Sequence, residues 1–184
     1  MKIRNLVLAA SLLLPATLGN AHAREVIPNH LENLLQYGQF ESRTISGVTI
    51  MYQGNSPRAR ELVSTVENFL PKVKSMTNFN NLQTCQDLDL KILIMNESLL
   101  NNREVVDFLS WYSISDNGIY GAYDSFHDTN TGEIYISALG STTFFTRTLA
   151  HEFWHHVQDV TCGNKTEREA VDFSIRYCST TSDC

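Results

Sequence analysis

Three histidines fall within six positions beside one glutamate in LAHEFWHHVQD, residues 149–159. A helix brings residues four apart onto one face, so His151 and His155 can reach a single ion together. His156 is turned by about 100° from His155 on an ideal helix and is left out. His151, Glu152, Phe153, Trp154 and His155 therefore read H-E-x-x-H, in which two neutral imidazoles bind zinc and the glutamate acts as general base on water. The plainer reading of the same letters is a polar patch on an ordinary amphipathic helix.

The elements around the motif decide whether this chemistry is available. Ser141, Thr142 or Thr143 can cap a helix, no glycine or proline interrupts residues 141–160, and Phe145, Leu149, Phe153, Val157 and Val160 recur at spacings of three and four. Two imidazoles are too few for a stable catalytic zinc site, which takes three protein ligands and leaves a fourth position for water. The third must come from downstream or elsewhere; no histidine follows His156, and a glutamate on a following helix is the other common source. TEREAVDFSIRYC, in a helix expected over 165–177, offers Glu167 and Glu169. At about 100° per residue, Glu167 shares a broad face with Ala170, Val171, Ile175 and Tyr177, whereas Glu169 projects beside Asp172 and Arg176. A carboxylate in an apolar stripe needs compensation, and a metal ion provides it. Glu167 is the first candidate and Glu169 the reserve.

The rest of the chain reads as mixed α and β, an α+β domain. A short helix is expected over 28–37, a strand near 47–53, and a helix starting from Ser56-Pro57 that Pro71 ends or kinks. LDLKILIM, within 87–95, reads as a buried strand, and residues 97–110 as one helix. Strands at about 118–124 and 133–138 flank the turn-rich HDTNTG as a hairpin. Asn96-Glu97-Ser98 and Asn164-Lys165-Thr166 match glycosylation acceptors.

Residues 1–23 have the form of a secretory signal peptide: Lys2 and Arg4, an apolar run too short for a comfortable membrane anchor, then Ala21-His22-Ala23. Removing them takes the formal charge from −6 to −8, because two basic residues leave and no acidic ones. That acidity argues against nucleic acid or anionic membranes as the main partner. All four cysteines, Cys85, Cys162, Cys178 and Cys184, lie in the exported part, where two disulfides are their expected use. Their pairing is open; a Cys162–Cys178 bridge would clamp the region after the motif helix. The expected location is secreted or periplasmic, with no membrane insertion after signal cleavage and an undetermined oligomeric state.

H-E-F-W-H at 151–155, followed by a helix bearing E-x-x-A at 167–170, resembles the gluzincin branch of the zincin metallopeptidases. Asp159, four residues after His155, adds to the likeness. The metzincin branch is excluded, because Thr161 stands where its third histidine belongs. The resemblance covers about residues 118–177. It implies one zincin-like domain over 24–184, with a small twisted sheet lying over the motif helix and residues 118–124 as an edge strand that pairs with substrate. It further implies Zn2+ held by His151, His155 and Glu167, Glu152 as catalytic base, and peptide or protein as substrate. Asp159 is a candidate second-nitrogen acceptor for a ligand. Tyr112, Tyr120, Tyr123, Tyr135, Tyr177, His127 and His156 are candidates for stabilising an oxyanion. The alternative is a non-catalytic exported domain that keeps such a site for structure or protein binding.

Overall fold

A computed structural model of the chain describes residues 30–110, 121–126 and 129–184. The expected signal peptide, Tyr112, Tyr120 and His127 lie outside the described residues. Chain order is α1 (His30–Leu35), β1 (Phe40–Ile45), β2 (Val48–Gln53), α2 (Pro57–Met76), a 3-10 turn (Phe79–Asn81) and β3 (Asp89–Met95). Then come α3 (Glu97–Leu100), α4 (Arg103–Ser110), β4 (Gly121–Phe126), β5 (Thr131–Ser137), α5 (Thr142–Val160) and α6 (Glu167–Thr180).

Five strands form one mixed sheet in the order β1-β2-β3-β5-β4. β2, β3 and β5 run parallel, and antiparallel β1 and β4 close the two sides. The fold is α+β, as the alternation of patterns predicts, and β4 forms one edge among the described residues. Strand alternation sorts the core to two faces. Ile50, Leu90, Ile92, Ile94, Ile134 and Ile136 meet α2, α5 and α6 through Leu62, Val66, Phe69, Phe145, Leu149, Phe153 and Phe173. Leu93, Met95 and Tyr135 meet Leu31, Leu34, Leu99 and Val105 on the other face.

Three local features go beyond the sequence pattern. β1 carries FESRTI with four exposed residues in a row, so no apolar alternation announces it. The strand exists because Ser46 (φ 51°) and Gly47 (φ 78°) make the two-residue positive-φ turn that folds it onto β2, pairing Ile45 with Val48. α2 begins as expected, with Ser56 Oγ accepting from Ala59 N at 3.2 Å and Pro57 first in the helix, but it runs through Pro71 to Met76. Burial of Phe69, Leu70 and Val73 on both sides of the proline outweighs the one backbone bond it cannot make. Residues 97–110 form two helices instead of one. Asn96 caps the first through Leu99 N at 3.0 Å, and Asn102 accepts from Glu104 N at 2.9 Å to start the second.

Cys85 joins Cys162, and Cys178 joins Cys184, so the Cys162–Cys178 arrangement is not formed. The pairs fit an oxidising compartment. Among the described residues no helix is long and apolar enough to cross a membrane. Cys85–Cys162 ties the approach to β3 to the end of α5, where Cys85 N also donates to Val160 O at 2.9 Å and Gln86 Nε2 to Asp159 O at 2.6 Å.

The two bridges close loops of 77 and 6 residues, for which chain entropy gives about 4.5 and about 2 kcal/mol. Thermal unfolding should therefore show Cys85→Ser/Cys162→Ser lowering Tm by roughly 5–10 °C more than Cys178→Ser/Cys184→Ser. Equal losses would contradict this ranking.

Candidate metal centre

α5 supplies the histidines. Ser141 Oγ accepts from Phe144 N at 3.2 Å, which identifies the cap among the three hydroxyl residues. Phe145, Leu149, Phe153 and Val157 anchor the helix on the sheet. One face is thereby left to His151 and His155, whose Nε2 atoms come within 3.2 Å of each other.

The third donor arrives through a six-residue connection. Cys162 takes a positive φ of 52°, Gly163 N donates to Gln158 O at 2.7 Å, and Lys165 pairs with Asp159 at 3.0 Å. Glu167, the first residue of α6, then sets Oε2 at 3.1 Å from His151 Nε2 and Oε1 at 3.3 Å from His155 Nε2. Glu167 meets the histidines, but not from within an apolar stripe. Its side chain is 81% exposed, and Val171 and Ile175 face outward with it. The buried stripe is Ala170, Phe173, Ser174 and Tyr177. Glu167 lies one turn before Ala170 on that stripe, where α6 has just begun and solvent still reaches the helix. Buried Ala170 permits the close approach of α6 to α5, and the Trp154 ring stacks on Phe173 at 4.7 Å.

The residues present fit a metal ion. In tetrahedral coordination, ligands at 2.0–2.1 Å from an ion stand about 3.3 Å apart; the two Nε2 atoms are 3.2 Å apart, and the Glu167 carboxylate brings one oxygen to 3.1 Å from His151 and the other to 3.3 Å from His155. Among the described residues His151, His155 and Glu167 form the one group of His, Cys, Asp or Glu side chains so arranged. Three ligands leave one vertex for a molecule from solvent, and the exposed Glu167 side keeps it accessible. Burial, then the neighbouring His155 imidazole, holds His151 below the ordinary histidine range despite the opposing pull of Glu167. An imidazole kept neutral is one ready to ligate.

Sequence reasoning missed the residue that orients His155. Gln158 Oε1 lies 3.0 Å from His155 Nδ1, and Gln158 Nε2 donates to Glu169 Oε2 at 2.7 Å. Because the Gln158 amide nitrogen faces a carboxylate, its oxygen must face the imidazole. His155 then carries its proton on Nδ1 and aims the Nε2 lone pair at the centre. Glu169, the reserve ligand, ends this relay instead of joining the triad. The spacing His155 to Gln158, three residues on one helix face, was the available signal. Asp159 is engaged elsewhere: it accepts from Tyr123 OH at 3.0 Å and pairs with Lys165. Although burial opposes it, hydrogen bonds from Ser125 and Lys165 hold the Asp159 carboxyl below its usual range.

Glu152 lies buried between α5 and β4, 7% exposed. Gly121 makes the space: a Cβ there would stand 2.5 Å from Thr148 Cγ2 and 3.1 Å from both Glu152 Cγ and Oε1. A glycine inside a strand was its only sequence signal. Burial pushes the Glu152 carboxyl up to about 8, and the Glu167 charge adds to the effect. His156 turns away into a pocket of Phe79, Phe153 and Tyr123, 1% exposed, where burial lowers it to about 4. It is a core residue, not a surface one. Tyr123 bonds Asp159, Tyr135 bonds Glu133 on the far face of the sheet, and Tyr177 bonds Asp183. Each of these oxyanion candidates is committed away from the histidine pair.

The chain matches no protein-family model, and comparison with curated proteins and with solved structures gives no significant match.

Two outcomes follow from the geometry. Gln158→Leu should weaken metal binding about 10–100-fold in competition with a chelator, while Asp159→Asn changes it little; the reverse order would refute the relay. In the metal-free chain, Glu152 has a folded pKa near 8 above its unfolded value. Its contribution to stability is therefore fully present below the ordinary carboxylate range and declines as pH rises to about 8. Relative to wild type, Glu152→Gln should gain on the order of 4 kcal/mol between pH 5 and pH 9 in urea unfolding; parallel curves would contradict this.

Proposed function

We propose that the chain is an exported zinc metallopeptidase that hydrolyses peptide bonds. The observation that carries this reading is the convergence of His151 Nε2, His155 Nε2 and the Glu167 carboxylate beside a buried Glu152 that has no hydrogen-bond partner among the described residues. Two imidazoles, one carboxylate and an open position match the ligand set of hydrolytic zinc sites. When bound there, zinc supplies a Lewis acid that activates a water and polarises a carbonyl.

The chain's own residues do the remaining work. His151 and His155 bind as neutral ligands, with Gln158 fixing the tautomer of the second. Glu152 takes a proton from water as its oxygen adds to the substrate carbonyl carbon, then gives that proton to the amine nitrogen as the C–N bond breaks. A carboxyl raised by burial suits both halves of this transfer, since it holds the proton long enough to pass it on. β4, the sheet edge beside Glu152, offers backbone groups with which an extended peptide can pair. The disulfides support export to a secreted or periplasmic setting, and the acidic charge favours peptide or protein over nucleic acid as substrate.

Oxidised full-length protein, loaded with zinc, should bind about one ion per chain and cleave members of a mixed peptide library read by mass spectrometry. Glu152→Gln should keep the ion and lose turnover by at least about 10²-fold, whereas Glu167→Gln should lose the ion as well. Zinc bound tightly with no cleavage of any peptide, by wild type as by Glu152→Gln, would reject catalysis and favour the structural or binding role.

A further inference from the structure

Arg147 stands one helical turn before His151, in the row Arg147, His151, His155 that marks one face of α5. Its side chain is exposed, and among the described residues no carboxylate or carbonyl pairs with it. Arg43, Arg58, Lys72, Lys165 and Arg168 each pair with a carboxylate, whereas among the described residues Arg60, Lys91 and Arg176 form no such pair either. Of these cations Arg147 is the one in the row of His151 and His155, in a chain with 20 acidic side chains against 14 basic ones. An exposed guanidinium on the face of the histidine pair is disposed to accept an anion from outside.

The neighbours give this cation a place in the site. β4 flanks the metal-binding face of α5 at Thr148 and Glu152, through Gly121. α6 flanks it on the other side, through Glu167 and the Trp154–Phe173 stack. Between the two walls the exposed strip of α5 runs from His151 back through Arg147 to Phe144, which is 38% exposed. Four residues of helix advance about 6 Å, and one residue of extended peptide spans about 3.3 Å. A peptide with its carbonyl at the metal centre can thus bring a carboxylate to Arg147 from one or two residues away.

We propose that Arg147 is a specificity-determining residue that binds a carboxylate of the substrate, so that the site selects peptides carrying negative charge next to the bond it addresses. This rests on the peptidase reading above for the word substrate, but the anion subsite itself does not need turnover. Guanidinium suits the task because its planar pair of N–H donors matches both carboxylate oxygens. Two sources present that chemistry, an aspartate or glutamate side chain and a free C-terminal carboxylate.

The test uses the oxidised full chain as Glu152→Gln, which removes the base without touching Arg147. Calorimetry, with the zinc-loaded and the metal-free chain, compares three hexapeptides of one sequence: one with glutamate at the third position and an amidated end, one with glutamine there and an amidated end, and one with glutamine there and a free carboxylate. The expected result is about 3–10-fold tighter binding of one anionic peptide than of the neutral one, with the stronger of the two identifying the carboxylate source. Adding Arg147→Gln should erase that difference while leaving zinc affinity and affinity for the neutral peptide unchanged, and Arg147→Glu should invert it. Equal binding of all three peptides, no binding of any, or a preference that survives Arg147→Gln would overturn the proposal. Charge selection without cleavage by the parent chain would leave the subsite standing and the peptidase reading refuted. Cleavage without charge selection would do the opposite.

Discussion

The site depends on one constraint: an exposed carboxylate at the start of a helix must be held against two imidazoles on the preceding helix. Glu167 has little packing of its own, so its position is inherited from the connection and from α6 behind it. Cys162, anchored through Cys85, fixes the point at which the chain leaves α5. Lys165, paired with Asp159 and lying over the Tyr123 ring at 5.2 Å, fixes it again two residues before Glu167. Downstream, Ala170 is fully buried, and Phe173 and Tyr177 belong to the core shared with α5, α2 and the sheet. Buried contacts thus aim a residue that has almost none, which is how a site can stay open to solvent and still be ordered.

The flank of α5 that faces β4 and β5 is built in the reverse manner. Gly121 and Gly132 lie flush against it, the second leaving room for His156 Nδ1 and Tyr123 OH, each within 3.0 Å of where a Cβ would stand. The β4–β5 hairpin can therefore press on the helix closely enough to bury Glu152. Burial is costly to a carboxylate that has no hydrogen-bonding partner among the described residues, and that cost, with the Glu167 charge added, raises Glu152 toward the range where it can take and return a proton. Stability is given up at the residue on which the proposed chemistry turns.

The sequence made the centre legible where helical geometry governs. Four-residue spacing put His151 and His155 together, the apolar run in LDLKILIM identified β3 as a buried strand, and the hydroxyl cap marked the start of α5. Legibility failed where exposure or long-range contact decides. β1 is too polar to announce itself and exists through its turn and its pairing with β2. Glu167 was found by a rotational argument with four companions, of which Ala170 and Tyr177 are buried while Val171 and Ile175 face solvent. The correct stripe runs through Ala170, Ser174 and Tyr177, and Glu167 sits at its exposed end. Gln158 and Asp159 are adjacent in sequence, and only the placement of Glu169 and Tyr123 decides which of them serves His155. The pairing of Cys85 with Cys162 likewise depends on how β3 approaches the end of α5, a contact 77 residues long in sequence.

The proposed chemistry requires those two imidazoles and that carboxylate to hold one ion jointly. X-ray absorption at the zinc edge, on oxidised protein loaded with one equivalent, resolves the ligand set most directly. Two imidazole nitrogens and two oxygens at about 2.0–2.1 Å, one oxygen vanishing from the shell in a Glu167→Ala sample, is the predicted result. A sulfur shell near 2.3 Å, a single imidazole, or a spectrum indifferent to residue 167 would contradict it.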